Sequence, residues 1–249
     1  MPIVVVASPK GGVGKSTLAA NLAVALHRLG RKVTAVDFDS QNALRFLLMA
    51  EGPAAAGIFD CVARGIPWKS AVQSGPSGVQ FLPFGVSTNA GRQQMKQLLT
   101  QERLSDELNS LLASDTDIVV ADTAPGDGRL QERLEQLADL ELIVLLADAG
   151  SMALVPSFRD GLLLNPGDET TYAVLNQVDP RRRLSRDIAE FVNQHAGDRF
   201  IGAVHYDEAL AEAAAHGMPV VEAAPESLAA KDINELASRL DRLLSMPRR

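Results

Sequence analysis

The chain has 249 residues, 46% of them hydrophobic, enough to bury a full core and within the range of one α/β domain. Its net charge of −7, from 24 basic and 31 acidic residues, argues against a dedicated polyanion binder, and 4% aromatics leave few stacking platforms for single-stranded nucleic acid. One cysteine, Cys61, excludes an internal disulfide or a zinc-type cluster, and the longest apolar run, Leu142 to Ala147, is far below the roughly 18 residues that span a bilayer. With no basic segment leading into an apolar stretch at its start, the chain is expected to be cytoplasmic.

Ile3 to Ala7 read as a buried β-strand, and Ser8-Pro9-Lys10-Gly11-Gly12-Val13-Gly14-Lys15-Ser16-Thr17 follow as a glycine-rich turn opening into a helix. That layout holds polyphosphates, because backbone N–H groups and the helix N-terminus converge on the anion. Gly11, Gly12 and Gly14 let the backbone approach the phosphate oxygens, Lys15 supplies charge to the β- and γ-phosphates, and Ser16 offers a hydroxyl to Mg²⁺. Proline stands where the common motif has its first glycine, and a second lysine, Lys10, precedes the glycines.

From Lys10 to Ser16 the chain resembles the ParA/MinD family of ATPases, whose motif K-G-G-x-G-K-[ST] it matches at every fixed position. The resemblance implies a P-loop α/β fold, with a mostly parallel twisted sheet covered by helices on both faces. It also implies ATP and Mg²⁺ as ligands, a nucleotide-binding set running from Lys10 to Thr17 through Val13, and a homodimer with ATP sandwiched at its interface. In that dimer Lys10 reaches the phosphates held by the other subunit.

Leu18, Leu22, Leu26 and Leu29 recur at helical spacing, and Gly30 marks the helix end. Lys32 to Val36 read as a strand ending in Asp37-Phe38-Asp39, which places two carboxylates at the sheet edge where α/β folds bind ligands. By the family resemblance Asp39 positions the attacking water and Asp37 supports the magnesium shell. Two aspartates that end a strand and cap a helix would give the same pattern.

Residues 51–90 are rich in Gly, Pro and Ala and read as an irregular, peripheral segment within one domain covering 1–249, with a short helix over Ile58 to Ala63 and a strand over Val79 to Leu82. Helical patterning resumes from Gln93 to Leu112, and the strand Ile118 to Ala121 ends in Asp122-Thr123-Ala124-Pro125-Gly126. A carboxylate there acts on Mg²⁺, and in the family D-x-x-x-G is switch II, so Asp122 and Gly126 are expected to sense the γ-phosphate. Leu130, Leu134 and Leu137 mark a further helix, Leu140 to Ala147 a buried strand and Met152 to Leu164 another helix.

Strand Tyr172 to Leu175 ends in Asn176, which matches the family's adenine-reading position; an asparagine in a turn would look the same. Arg181, Arg182, Arg183 and Arg186 then open a helix expected to turn Leu184, Ile188 and Phe191 inward. Such a cluster gains nothing from the helix dipole, so it is either a solvated face or a contact for an acidic protein, DNA or lipid headgroups. A strand at Phe200 to Val204, an alanine-rich helix closed by Gly217 and a final helix over Ser227 to Leu244 complete the pattern, with Ile233, Leu236, Leu240 and Leu243 on one stripe.

Phe81-Leu82-Pro83-Phe84-Gly85, His205-Tyr206-Asp207-Glu208-Ala209, Met218-Pro219-Val220 and Ser227 to Asp232 look like the cellulose-biosynthesis branch of the family, called BcsQ or YhjQ. That branch implies a slow ATPase switch beside cellulose synthase and secretion subunits, recruited to the inner membrane through partners. Pro247 interrupts the place where a MinD-like membrane helix would continue, and one cysteine cannot supply an iron–sulfur bridge. Two alternatives remain: a DNA-partition ATPase using the arginines, and a nucleotide-clamped scaffold with negligible turnover.

Overall fold

In the computed structural model, residues 2–48, 56–85, 103–112, 117–125, 128–152 and 170–246 are described. The first strand, β1 (Ile3–Ala7), is buried along its whole length, as a central parallel strand covered on both faces must be. Its side chains alternate: Val4 and Val6 join one hydrophobic cluster, Ile3, Val5 and Ala7 another.

Helix α1 (Lys15–Arg28) and strand β2 (Lys32–Asp37) follow, then α2 (Ala43–Leu48) and α3 (Ile58–Arg64). A 3₁₀ turn at Trp68–Ala71 leads into β3 (Gln73–Ser74) and β4 (Gln80–Leu82). Beyond these lie α4 (Arg103–Ser110), β5 (Asp117–Asp122), α5 (Gly128–Leu137), β6 (Leu140–Leu146) and α6 (Ala149–Met152). The chain continues through β7 (Thr171–Val178), α7 (Arg183–Ala196), β8 (Phe200–His205), α8 (Glu208–Ala215), α9 (Val220–Ala223) and α10 (Leu228–Ser245).

The eight strands form one sheet in the order β3-β4-β2-β5-β1-β6-β7-β8, parallel except for β3. Helices α1, α2, α9 and α10 bury their apolar faces on one side through residues such as Leu22, Leu44, Val221 and Ile233. Helices α3, α4 and α5 cover the other side beside β1, and α7 covers it beside β6 and β7. This is the doubly covered α/β sheet expected from the sequence.

Three local expectations change. In the described part of 51–90, residues 56–85, the expected helix and strand appear as α3 and β4, but they are not peripheral: β4 pairs parallel with β2, and Ile58, Phe59, Cys61 and Trp68 are core residues. Leu184 is 49% exposed, because it sits in the first turn of α7 while Ser185, Ile188, Val192 and Ala196 form the buried stripe. Phe191 is half-buried and stacks on His195 with ring centroids 3.9 Å apart. Strand β7 runs on to Val178, so Asn176 lies inside it, and the register against β8 shifts between Leu175 and Val178. The expected helix over 152–164 lies almost wholly outside the described residues, as does 93–102 of the helical patterning expected from Gln93 to Leu112.

Candidate nucleotide site

Parallel pairing carries the C-terminal ends of β1, β2, β5, β6 and β7 to one edge, and the sequence-predicted residues collect there. Gly12 and Gly14 have φ of 76° and 90°, the left-handed region that side chains disfavour. Gly14 caps α1 with no side chain accepting from the first turn, and that turn holds no acidic residue, so its N–H groups remain available to an anion. Lys15 is buried in this first turn, and Ser16 and Thr17 are half-buried beside it. Val13 is buried, while Gly11 and Gly12 face outward.

The carboxylates are brought together by register. Asp37 and Asp122 are direct partners across β2 and β5, and Asp122 is also the partner of Val6, the penultimate residue of β1. Both are fully buried. Asp37 accepts from the Asp39 and Leu44 N–H groups at 2.8 and 3.2 Å, so it also caps α2. Asp39, 8% exposed, accepts from the Gln41 N–H at 2.9 Å. The two roles weighed for this pair, cap and ligand, are therefore compatible.

Neither oxygen of Asp122 has a hydrogen-bond partner among the described residues. Burial pushes its carboxyl up to about 7, against the pull of the Ser16 hydroxyl and the Lys15 ammonium, with the Asp39 charge adding to the rise. Asp37 is likewise held well above the usual carboxylate range, first by burial and then by the charge of Asp122. The unsatisfied Asp122 carboxylate, with the Asp37 carboxylate and the Ser16 hydroxyl beside it, offers oxygen donors to a hard divalent cation, so these residues fit Mg²⁺. Among the described residues no group of three or more His, Cys, Asp or Glu could hold a metal ion by itself.

Lys10 stands at the rim. Its backbone is fixed by Ser8, whose hydroxyl donates to the Lys10 carbonyl at 2.9 Å and accepts from the Lys10 N–H at 3.3 Å. Its ammonium donates to both oxygens of Asp148 at 2.8 Å. Pro125 closes over the loop: a Cβ on Gly11 would lie 3.6 Å from its Cγ. Gly126, the expected switch II glycine, lies outside the described residues.

Asn176 is buried, and its amide donates to the Val13 carbonyl at 2.8 Å while its oxygen accepts from the Gln177 N–H at 3.0 Å. It therefore braces the phosphate loop, a role beyond the base contact read from the sequence. The family model described as cellulose biosynthesis protein BcsQ matches residues 1–240. The chain belongs to the BcsQ family.

This family stands within the wider ParA/MinD group of ATPases. The BcsQ-family chain is 27% identical to the cellulose biosynthesis protein BcsQ of Salmonella typhimurium, over 92% of this chain and 90% of that protein. It is 29% identical to an uncharacterised ATP-binding protein of Methanocaldococcus jannaschii, covering 95% of this chain and 86% of that one. Among solved structures, the cell division ATPase MinD of Pyrococcus furiosus superposes with a TM-score of 0.79 at 26% identity, covering 97% of this chain and 99% of that one.

The arginine cluster lies at the same sheet edge, just beyond β7. Arg181 grips Asp179 through Nε at 2.9 Å and Nη2 at 3.1 Å, and this guanidinium holds the Asp179 carboxyl below its ordinary value. Arg186 turns back to the Pro180 carbonyl at 2.6 Å, and Arg183 reaches Asp187 at 3.6 Å. Asp148, Thr123 and Asn42 escaped the sequence reading. Thr123 ties β5 to β1 through the Val6 carbonyl at 3.0 Å, and Asn42 exchanges two hydrogen bonds with Gly85. Only Asn42 left a signal, as an αL-tolerant residue just after the D-x-D pair.

Proposed function

We propose that this BcsQ-family chain is an ATP-dependent dimerising switch with slow Mg²⁺-dependent hydrolysis. Its work is to regulate or localise a membrane-associated bacterial cellulose synthesis and secretion complex. The observation that carries the nucleotide reading is the convergence, at one sheet edge, of an uncapped α1 N-terminus with the unsatisfied Asp122 carboxylate and its register partner Asp37. The cellulose role rests on the family match over residues 1–240.

Backbone amides of the glycine loop and the α1 N-terminus bind the phosphates, and Lys15 neutralises their terminal oxygens. Mg²⁺, when bound, supplies the charge that offsets the β- and γ-phosphate oxygens, held by Ser16 with Asp37 and Asp122 around it. Asp39 orients the attacking water, Asn176 meets the adenine edge with its remaining amide capacity, and Lys10 of each subunit crosses to the other's ligand. Asp122 and Gly126 report loss of the γ-phosphate, and the two subunits part.

Light scattering with and without ATP tests the dimer. Lys10→Ala should leave the protein monomeric with ATP yet still binding nucleotide, and an unchanged dimer would refute the shared site. In the bacterium that carries the gene, the same substitution should lower dye-binding cellulose; undiminished output would remove the cellulose role. A single-turnover comparison with Asp39→Ala separates a hydrolysing switch from a static scaffold, since equal, negligible phosphate release from both would favour the scaffold. A second reading, DNA binding, draws on the exposed Arg181 and Arg183 at the nucleotide edge. It requires salt-sensitive, ATP-dependent binding of duplex DNA that disappears when Arg181 to Arg183 are replaced.

A further inference from the structure

We infer that Asn42 is a positioning residue for Asp39: its side-chain amide clamps the far end of the turn that carries this carboxylate, and so holds Asp39 where it can orient the attacking water. The inference rests on the reading of Asp39 given above.

Asp39 lies beyond the last residue of β2, so no strand pairing fixes it. The turn from Phe38 to Asn42 is held at its near end by the Phe38 N–H, which donates to the Asp122 carbonyl at 2.8 Å. Ser40 and Gln41 are exposed. At the far end the Asn42 N–H donates to the Asp39 carbonyl at 2.9 Å, which closes the turn on itself. The tie to another element comes from the Asn42 side chain: Nδ2 donates to the Gly85 carbonyl at 2.9 Å and Oδ1 accepts from the Gly85 N–H at 3.1 Å. A carboxamide can pair with one backbone residue in this way because it carries a donor and an acceptor side by side, as a neighbouring strand does. Asparagine also tolerates the left-handed backbone, φ 52°, that turns the chain from Asp39 into α2.

The anchor is itself fixed. Pro83 and Phe84, which follow β4, accept from the Ile58 and Phe59 N–H groups at 2.9 and 2.8 Å, so this loop is stitched to the first turn of α3. Gly85 has φ of 93°, and a Cβ there would lie 2.5 Å from the Asp60 carboxylate, which already accepts from the Gly57 N–H at 2.9 Å. Asp39 is thereby registered against β4 and α3 as well as against β2 and β5. A carboxylate that must present a water to the terminal phosphate needs such a two-sided hold, since a displacement of about 1 Å can cost about a hundredfold in rate.

Asn42→Gly removes the amide and leaves the left-handed backbone unstrained, whereas Asn42→Asp keeps the size and sets a carboxylate against the Gly85 carbonyl. In both, single-turnover release of phosphate from Mg²⁺-ATP should slow roughly 10- to 100-fold, while the ATP dissociation constant and the Mg²⁺ concentration for half-maximal rate stay within about twofold of the parent. In an Asp39→Ala background Asn42→Gly should add no further slowing, because no carboxylate is left to place, whereas damage to the fold would add its own cost. Unchanged release from both single variants, equal losses in binding and rate, or full additional slowing in the double variant would each overturn the inference. If Asp39→Ala released phosphate as fast as the parent, the reading of Asp39 would fall first and this inference with it.

Discussion

Asp122 shows what one unsatisfied side chain does to the protein's energetics. Its carboxyl titrates at about 7 in the folded chain against 3.8 when free, so the folded state holds a proton that the unfolded state gives up. The contribution to stability is therefore full below the unfolded value and is lost as pH rises through the folded one. Asp122→Asn, which never ionises, should melt above the parent in mildly alkaline buffer, with the difference shrinking on acidification. A constant difference across that range in calorimetric scans would contradict the assignment. Magnesium nucleotide needs the ionised form, so loading near neutral pH should release protons, visible as a buffer-dependent heat in titration calorimetry. The importance of Asp122 could be read from the chain, because an apolar run ending in aspartate is a local pattern. Asp148 could not: its bond to Lys10 joins residues 138 positions apart, and no local pattern encodes it.

At the level of the element, the phosphate loop and the helix it opens were legible because glycine spacing and leucine periodicity are local. Gly14 carries the most demanding backbone: φ is 90°, and a Cβ would stand 2.4 Å from the Asn176 amide nitrogen. Gly14→Ala should cost about 1–3 kcal/mol from backbone strain and loosen the Val13 to Asn176 brace, read as a lower melting temperature together with weaker nucleotide binding. Helix α7 shows where periodicity misled. Counting from Leu184 placed Ile188 correctly but put Leu184 and Phe191 on the inner face where Ser185 and Val192 stand, because the buried face is set by where the helix meets β6 and β7. Leu184→Ser should accordingly change stability by no more than about 0.5 kcal/mol in urea melts, whereas Ile188→Ala should cost roughly 2–5 kcal/mol. Bulging of β7 around left-handed Gln177 also escaped the reading, since φ of 58° on a glutamine leaves no mark in composition.

Across the molecule, the sheet order does what no single motif can. Inserting β5 between β2 and β1 places Asp37, Asp122 and the phosphate loop in adjoining strands, although the chain reaches Asp122 only 85 positions after Asp37. The class of this architecture was implied by the family resemblance that Lys10 to Ser16 carry, and the apolar runs and helical patterns fall where that fold needs them. Its second core was not: the short helix over Ile58 to Ala63 is legible, but as peripheral, and Trp68 lies in the stretch beyond it that carries no pattern. Trp68→Ala should remove about 3–5 kcal/mol in denaturant titrations, marking 56–85 as part of the folded unit rather than an appendage. No helix among the described residues is long and apolar enough to cross a membrane.

Arg31, just past the end of α1, binds Asp241 at 2.6 Å and Ser245 at 2.6 Å. Since α1 begins at the phosphate loop and runs away from it, this knot lies at the pole opposite the nucleotide. A fluorophore or fused reporter attached there would ride behind the nucleotide edge and leave it unobstructed, so imaging and tethering experiments have a natural handle at that end.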